Sequence, residues 1–273
     1  MSTSFGNSDF SVRVSLTEEE FWPEMHRKVS STWEKDLTLI KEFVDRHNIK
    51  QLCHFTLTRN LKSILDTGIQ SRTILDSNST TSTRMDVSSK LYFQDFNYVS
   101  ISSPNTKMLS AKFKQGSWVS IILMDASLLL ELPFFSIPMN SAKYQMPDLM
   151  REDYNRFLGF AGLQSLYANT ELRKHCAIPA SEPTDIQSEL IFLSTIPVRY
   201  FKEIWLSPTN IKSPENLQVI SELEPYGLSL GNTKRWKWLK REKIDSWDAK
   251  FSPEAQECFN LRNWNKDWGG YGK

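Results

Sequence analysis

Residues 50–69 read "KQLCHFTLTRNLKSILDTGI" and combine a strand pattern with a helix pattern. The first residues, "KQLCHF", form a short apolar run that predicts a β-strand with His54 near its end. Thr58 is predicted to cap the helix that follows, and Gly68 is the predicted stop. The apolar face of this helix consists of Leu61, Ile64 and Leu65. His54 is therefore either a packed core residue or a ligand-binding residue at the end of a strand.

Patterns on both sides of this stretch predict an α+β fold. Early acidic residues and helically spaced apolar residues predict one or two helices over 17–47, and helical patterns recur over 148–175 and 213–223. Apolar or alternating runs predict further strands over 98–102, 117–125, 188–196 and 201–208. We expect a single domain over 1–273, with a core at about 48–225, an N-terminal helical extension at 1–47 and a C-terminal basic and aromatic extension at 226–273.

Composition limits the classes of function. The chain has 273 residues and a formal net charge of +1, so any nucleic-acid site has to come from local clustering of charge. The N-terminus has no apolar segment of the signal-peptide type, and charges and a proline interrupt the longest apolar run. We therefore expect a cytoplasmic protein without a membrane span. Three widely spaced cysteines without a CxxC motif disfavour a disulfide framework or a cysteine-rich metal site.

The C-terminal extension provides such a local cluster. The run "TKRWKWLKREK", residues 233–243, holds six basic residues against one acidic residue, with two tryptophans between them. Cations bind phosphates and flat rings stack on unpaired bases, which is what single-stranded nucleic acid requires. The candidate nucleic-acid-binding residues are Lys234, Arg235, Trp236, Lys237, Trp238, Lys240 and Arg241. The alternative is a solvated basic helix whose tryptophans dock on the core.

Within the core, residues suited to one chemistry follow one another in a fixed order. His54 and Thr56 come first, and Asn60-Leu61 follow directly. Arg84 lies in the polar run "STTSTRMDV", and Pro104 with Met108-Leu109 ends the run "NYVSISSPNTKML", residues 97–109. The aromatic run "FFSIPMNSA", residues 134–142, and a late strand with Gln187 and Glu189 complete the series. Each residue alone has an ordinary structural explanation, such as a core histidine or a strand-edge charge.

In this order the series resembles the DarT family of NAD-dependent ADP-ribosyltransferase toxins, which modify bases in DNA. Members of that family have a strand ending in His-x-Thr, then Asn-Leu and a helix, an arginine in a polar loop, a Pro…Met-Leu turn and a late Gln-x-Glu strand. The agreement extends over residues 50–208. The resemblance implies an ADP-ribosyltransferase-like split mixed β-sheet with flanking helices.

The resemblance also implies roles for single residues. Transfer of ADP-ribose from NAD passes through a positively charged, oxocarbenium-like ribose, which a nearby carboxylate stabilises, and Glu189 is the candidate. Arg84 is the second catalytic candidate, on the NAD phosphates and in removing a proton from the acceptor base. The residues implied at the NAD pocket are His54, Thr56, Asn60, Leu61, Tyr98, Ser102 and Met108. NAD is then a substrate, and we expect no metal.

Three alternatives stay open at this point. The resemblance implies modification of a base in single-stranded DNA by the toxin of a bacterial toxin–antitoxin or phage-defence system, with a macrodomain-like ADP-ribosyl hydrolase as antitoxin. RNA bases are the first alternative acceptor. The second alternative is a non-catalytic single-stranded nucleic-acid-binding protein, which the basic, tryptophan-rich run favours. The third is an RNA 2′-phosphotransferase on the same scaffold, for which the core offers few basic candidates beyond Arg84.

Overall fold

The computed structural model describes residues 18–77, 95–105, 108, 109, 112, 118–138, 154–206, 214–226 and 236–238. The helices in these ranges are α1 (Glu18–Arg46), α2 (Leu61–Thr67), α3 (Arg72–Ser77), α4 (Gly159–Ser165), α5 (Thr170–His175) and α6 (Pro214–Leu223). The strands are β1 (Gln51–Leu57), β2 (Asn97–Ile101), β3 (Val119–Asp125), β4 (Phe134–Ile137), β5 (Glu189–Phe192), β6 (Phe201–Leu206) and β7 (Trp236–Trp238). The predicted mixture of helices and strands is confirmed.

One sheet contains all the described strands, in the order β4-β5-β2-β1-β3-β6-β7. Strands β1 to β6 pair antiparallel, and β7 pairs parallel with β6. Strand β2 is paired differently along its two halves. Its first residues, Asn97–Val99, pair with β5, and its last two pair with β1. The sheet therefore consists of two parts that share β2.

Helix α1 packs into two apolar clusters. Its N-terminal half presents Phe21, Met25 and Val29, spaced four residues apart, so that they share one helix face. These side chains pack with Phe135 and Ile191 of the sheet. The C-terminal half of α1 contributes to the central core, together with residues of α2, α4 and most strands. The predicted N-terminal helical segment is thus one helix, and it helps to bury both parts of the sheet.

The strand and the helix predicted within residues 50–69 are present, with one correction. Helix α2 ends at Gly68, whose φ of 84° favours glycine, and a Cβ there would lie 2.5 Å from the Ile196 carbonyl oxygen. The predicted cap at Thr58 is wrong. Thr58 starts a 3₁₀ turn, Thr58–Asn60, and its hydroxyl forms a hydrogen bond with the Ser120 hydroxyl instead of the α2 backbone.

Two further expectations differ from the structure. The strand predicted over 188–196 ends at Phe192, because Ile196 exchanges backbone hydrogen bonds with Ile69 beside the end of α2. Cys176 is disulfide-bonded, which the spacing of the cysteines did not predict, whereas Cys53 is a buried cysteine outside any disulfide. In the part of the chain that the structure describes, no helix has the length and apolar character needed to cross a membrane.

Candidate functional site

The candidate site lies where β1 and β2 part. The register pairs Leu52 with Ile101 and Cys53 with Ser100, and from His54 onward β1 continues only along β3. At this point the His54 ring reaches across, and its Nδ1 lies 2.9 Å from the Tyr98 carbonyl oxygen. Because a carbonyl can only accept, Nδ1 carries the proton, which makes Nε2 the acceptor of the neutral ring. The histidine thus marks the opening between the two parts of the sheet.

Beyond His54, the face of β1 that is apolar at Leu52 becomes polar. Thr56 lies two residues further on the same face and is buried. The side-chain amide of Asn60 donates to the Thr56 hydroxyl over 3.1 Å. The structure thus brings together His54, Thr56 and Asn60, three residues predicted to bind NAD. Their hydroxyl, amide and imidazole groups are suited to the hydroxyls and carboxamide of a dinucleotide.

A second hydrogen bond fixes the turn that carries Asn60. The Thr58 and Ser120 hydroxyls lie 2.8 Å apart, and both residues are 0% exposed. The Thr58 backbone N–H donates to the Trp118 carbonyl oxygen over 2.9 Å. Ser120 was not predicted as a site residue, although a polar residue inside the apolar run of β3 is a usable sequence signal. These contacts tie the turn between β1 and α2 to β3.

Glu189 lies on the other side of β2, as the first residue of β5. It pairs with Ile137 of β4 and is buried, at 7% exposure. Tyr98 pairs with Ile191, so the two-residue period places Tyr98 and Glu189 on one face of the sheet. Burial raises the pKa of Tyr98 well above its usual value, and the negative charges of Glu189 and Asp95 add to this shift. The tyrosine therefore keeps its proton at neutral pH beside the carboxylate.

The last paired residues of β2 and β5 are Val99 and Leu190. Because the two strands are antiparallel, extending this register by one residue places Ser100 of β2 opposite Glu189. His54 and Glu189 thus lie on the two strands next to β2, about one residue apart in level. By the same alternation, Glu189 is on the sheet face of Tyr98 and His54 is on the face of Leu52. Strand spacing puts neighbouring backbones roughly 4.8 Å apart. The arrangement offers a carboxylate on one side of β2 and hydrogen-bonding groups on the other.

A segment without helix or strand leads into Glu189, exposed at its start and buried from residue 183 onward. We call residues 179–188 the pre-β5 segment. At its end, the Asp185 carboxylate accepts from the Gln187 backbone N–H over 2.7 Å, and the Ser188 N–H donates to the Asp185 carbonyl over 3.1 Å. Asp185, Gln187 and Ser188 are all buried. This turn fixes the direction in which β5 begins. The sequence signal for it was an aspartate two residues before Gln187.

Other predicted cofactor residues have different surroundings. Ser102 lies at the closed end of β2, with φ of 61°, and its hydroxyl donates to the Ser181 carbonyl over 2.6 Å. Leu61 is fully buried in the central core, where its side chain anchors α2. Met108 is half-buried, and its N–H donates to the Asn105 side chain over 3.1 Å. The structure does not bring these three side chains together with His54, and their contact with NAD stays a prediction.

The remaining predicted residues are only partly described. Arg84 lies outside the described residues, as do Lys234, Arg235, Lys240 and Arg241. For Trp236, Lys237 and Trp238 the structure gives the backbone, which forms β7 and pairs with Ile204–Leu206 of β6. This part of the basic run is therefore a strand and not a helix. Among the described residues, no group of three or more His, Cys, Asp or Glu is arranged to hold a metal ion.

Comparison with known proteins gives matches at the level of structure. No protein-family model matches the chain, and no curated protein matches it in sequence. Among solved structures, DarT from Thermus sp. 2.9 in complex with carba-NAD+ matches at 16% identity and a TM-score of 0.41, over 71% of this chain and 97% of that chain. The same protein in complex with ADP-ribosylated ssDNA matches at 15% identity and a TM-score of 0.41, over 72% and 96%.

A third structure is DarTG from Thermosipho africanus in complex with ADP-ribose. It matches at 13% identity and a TM-score of 0.40, over 71% of this chain and 50% of that chain. The family that the sequence resembles is thus found again among solved structures, as a distant likeness.

Proposed function

We propose that the chain is an NAD-dependent ADP-ribosyltransferase that transfers ADP-ribose to a base in single-stranded nucleic acid, with DNA as the favoured acceptor. The observation that carries the proposal is the His54 ring on the Tyr98 carbonyl where the sheet parts, with Glu189 acting on Tyr98 from the next strand. These residues are far apart in sequence. Their placement on the strands either side of β2 supports the ordered series of motifs from which the function was inferred.

The carboxylate supplies the electrostatic part of the chemistry. Cleavage of the bond between nicotinamide and ribose leaves positive charge on the ribose, and a fixed negative charge nearby lowers the barrier. Glu189 is buried and held at the start of β5, so its charge costs little reorganisation at the moment of reaction. The acceptor base then forms the new bond to the ribose carbon, nicotinamide leaves, and the base loses one proton.

The side chains on β1 and the turn after it are assigned to the binding of NAD. The Nε2 atom of His54 is suited to accept from a ribose hydroxyl, because its Nδ1 proton is committed to Tyr98. Thr56 and Asn60, linked by their own hydrogen bond, are assigned to the nicotinamide side. Such positioning can account for a large share of the rate by holding the reacting atoms in line. By resemblance, Arg84 is assigned to the phosphates and to proton removal from the base.

The acceptor is assigned from the C-terminal extension and the resemblance. Six basic residues and two tryptophans within residues 233–243 are suited to phosphates and unpaired bases. By the resemblance, the biological role is that of a toxin in a toxin–antitoxin or phage-defence system. Its antitoxin would be a macrodomain-like hydrolase that removes ADP-ribose from the nucleic acid.

The test uses labelled NAD with separate pools of single-stranded DNA and RNA. We expect label on DNA with the wild-type chain and its loss in Glu189→Gln. The matched control is Glu171→Gln, which removes an exposed carboxylate on α5 that pairs with Lys174. Label on RNA alone would keep the chemistry and change the acceptor. A wild-type protein that binds oligonucleotides but consumes no NAD would refute the enzyme assignment.

The basic run supports a second candidate, a non-catalytic single-stranded nucleic-acid-binding protein. It predicts binding that weakens steeply with salt, survives Glu189→Gln and needs no NAD. Replacing Lys234, Arg235, Lys240 and Arg241 by glutamine would then abolish binding. The two candidates differ in whether any nicotinamide is released.

A further inference from the structure

The pre-β5 segment is held by side chains from several other elements. Residues 179–182 form neither helix nor strand, yet their four backbone carbonyls all accept side-chain hydrogen bonds. His47, just after α1, donates from Nδ1 to the Ala180 carbonyl over 2.9 Å. The Ser181 carbonyl accepts from the Ser102 and Tyr167 hydroxyls over 2.6 and 3.2 Å. These side-chain hydrogen bonds hold an irregular and partly exposed stretch of backbone in one conformation.

Arg173 of α5 makes the largest contribution to this set. Its Nη2 donates to the Pro179 carbonyl over 3.0 Å, and its Nη1 donates to the Glu182 carbonyl over 2.8 Å. Nη1 also lies 3.3 Å from the Thr184 hydroxyl. The guanidinium stacks 5.0 Å from the centre of the Tyr167 ring. One planar group thus joins both ends of the loop over 179–184 through two separate nitrogen atoms, whereas a lysine has a single donor atom.

The connection continues from Thr184 to Glu189 without an exposed residue. Thr184 is 0% exposed, and its hydroxyl donates to the Ala168 carbonyl over 2.5 Å. Its N–H donates to the Leu166 carbonyl over 2.8 Å. The Asp185 turn follows, and then Glu189. A shift of the loop at Glu182 therefore reaches the carboxylate through six buried residues, 183–188, rather than being absorbed in a flexible linker.

We propose that Arg173 is a positioning residue for Glu189, fixing the carboxylate at the reacting ribose through the pre-β5 segment. The inference rests on the proposed function. Arg173 lies on α5 and bonds to the pre-β5 segment, whereas His54, Thr56 and Asn60 lie on β1 and the turn after it. Loss of the guanidinium should therefore change the rate of NAD cleavage more than the binding of NAD. A displacement of about 1 Å can cost a hundredfold in rate.

The experiment compares Arg173→Gln and Arg173→Lys with Lys174→Gln, a control on the same helix that removes an exposed charge. NAD cleavage gives kcat and KM, and amide hydrogen exchange reports on residues 180–189. We expect kcat to fall at least tenfold in Arg173→Gln, KM for NAD to stay within twofold, and exchange in this segment to accelerate. Arg173→Lys should show the same pattern to a smaller extent, and the control should match wild type.

Unchanged kcat in folded Arg173→Gln would overturn the proposal, and so would a rise in KM with kcat unchanged. If Arg173→Gln does not fold, Arg173→Lys decides by the same criterion. If the wild-type chain cleaves no NAD, the proposed function fails by itself. Hydrogen exchange then still tests the contact network: unchanged exchange over 180–189 would refute it independently.

Discussion

The hydrogen bond between Thr58 and Ser120 leads to a prediction with a defined sign and size. Both residues are 0% exposed and their hydroxyls lie 2.8 Å apart. Removing one hydroxyl leaves the other buried without that partner, at a cost of about 1–3 kcal/mol in the free energy of unfolding. Thr58→Val and Ser120→Ala should each show this cost. Replacing both partners by apolar groups can be nearly neutral, so the double variant should cost clearly less than the sum.

Urea unfolding of the wild type, both single variants and the double variant measures this coupling. A loss of 1–3 kcal/mol should lower the urea midpoint of each single variant by about 0.3–1 M, with an unchanged slope. The coupling free energy should be about 1 kcal/mol or more, as for residues in direct contact. The prediction would be wrong if the losses in free energy of unfolding of the two single variants simply added up in the double variant. It would also be wrong if the single variants stayed within 0.5 kcal/mol of wild type. Ser127→Ala, at a half-buried serine after β3, is a control outside this hydrogen bond.

Three further predictions concern the site, acid stability and the end of α2. Glu189→Gln should lower the rate of NAD cleavage by about 10²–10³, with single-stranded oligonucleotide binding retained in a gel-shift assay. Burial lowers the pKa of His47, and the charges of Arg173 and Arg46 add to this shift, whereas the hydrogen bond to Ala180 opposes it. As pH falls, His47 is therefore protonated in the unfolded state before it is protonated in the folded state. Stability should therefore decrease as pH falls below about 6.5, and His47→Gln should show a flatter profile of urea midpoint against pH than wild type. Gly68→Ala combines positive φ with a Cβ 2.5 Å from the Ile196 carbonyl, and we expect a loss of at least about 1 kcal/mol; a thermal unfolding midpoint equal to wild type would contradict this.

Much of the fold could be predicted because local patterns agree with their surroundings. The apolar run to His54, the helix closed by Gly68 and the apolar run of β3 each fold as their sequences indicate. The strand over 188–196 was predicted too long because its alternation continues past Phe192. What ends it is the exchange of hydrogen bonds between Ile69 and Ile196, residues distant in sequence. A periodic pattern carries no information on such a partner.

The candidate site was predicted less completely than the fold. Residue type and order selected His54, Thr56, Asn60 and Glu189, and the structure places the first three side by side and the fourth across β2. The point where β1 and β2 part depends on register, which no local motif encodes. Arg173 had no signal at all, since its role depends on the carbonyls of a loop that folds back on α5. A loop without helix or strand has no periodic sequence pattern from which its contacts could be predicted.

The parallel pairing of β7 with β6 has a consequence for how truncations of this chain behave. Trp236–Trp238 cover one side of β6, which would otherwise be the edge of the sheet. Exposed edge strands recruit other chains and promote aggregation. A truncation before residue 236 would therefore expose β6 as an aggregation-prone edge strand. It would also remove most of the basic run. Reduced activity in such a truncation would then reflect self-association as readily as lost nucleic-acid contacts, and single substitutions of basic residues are the better probe.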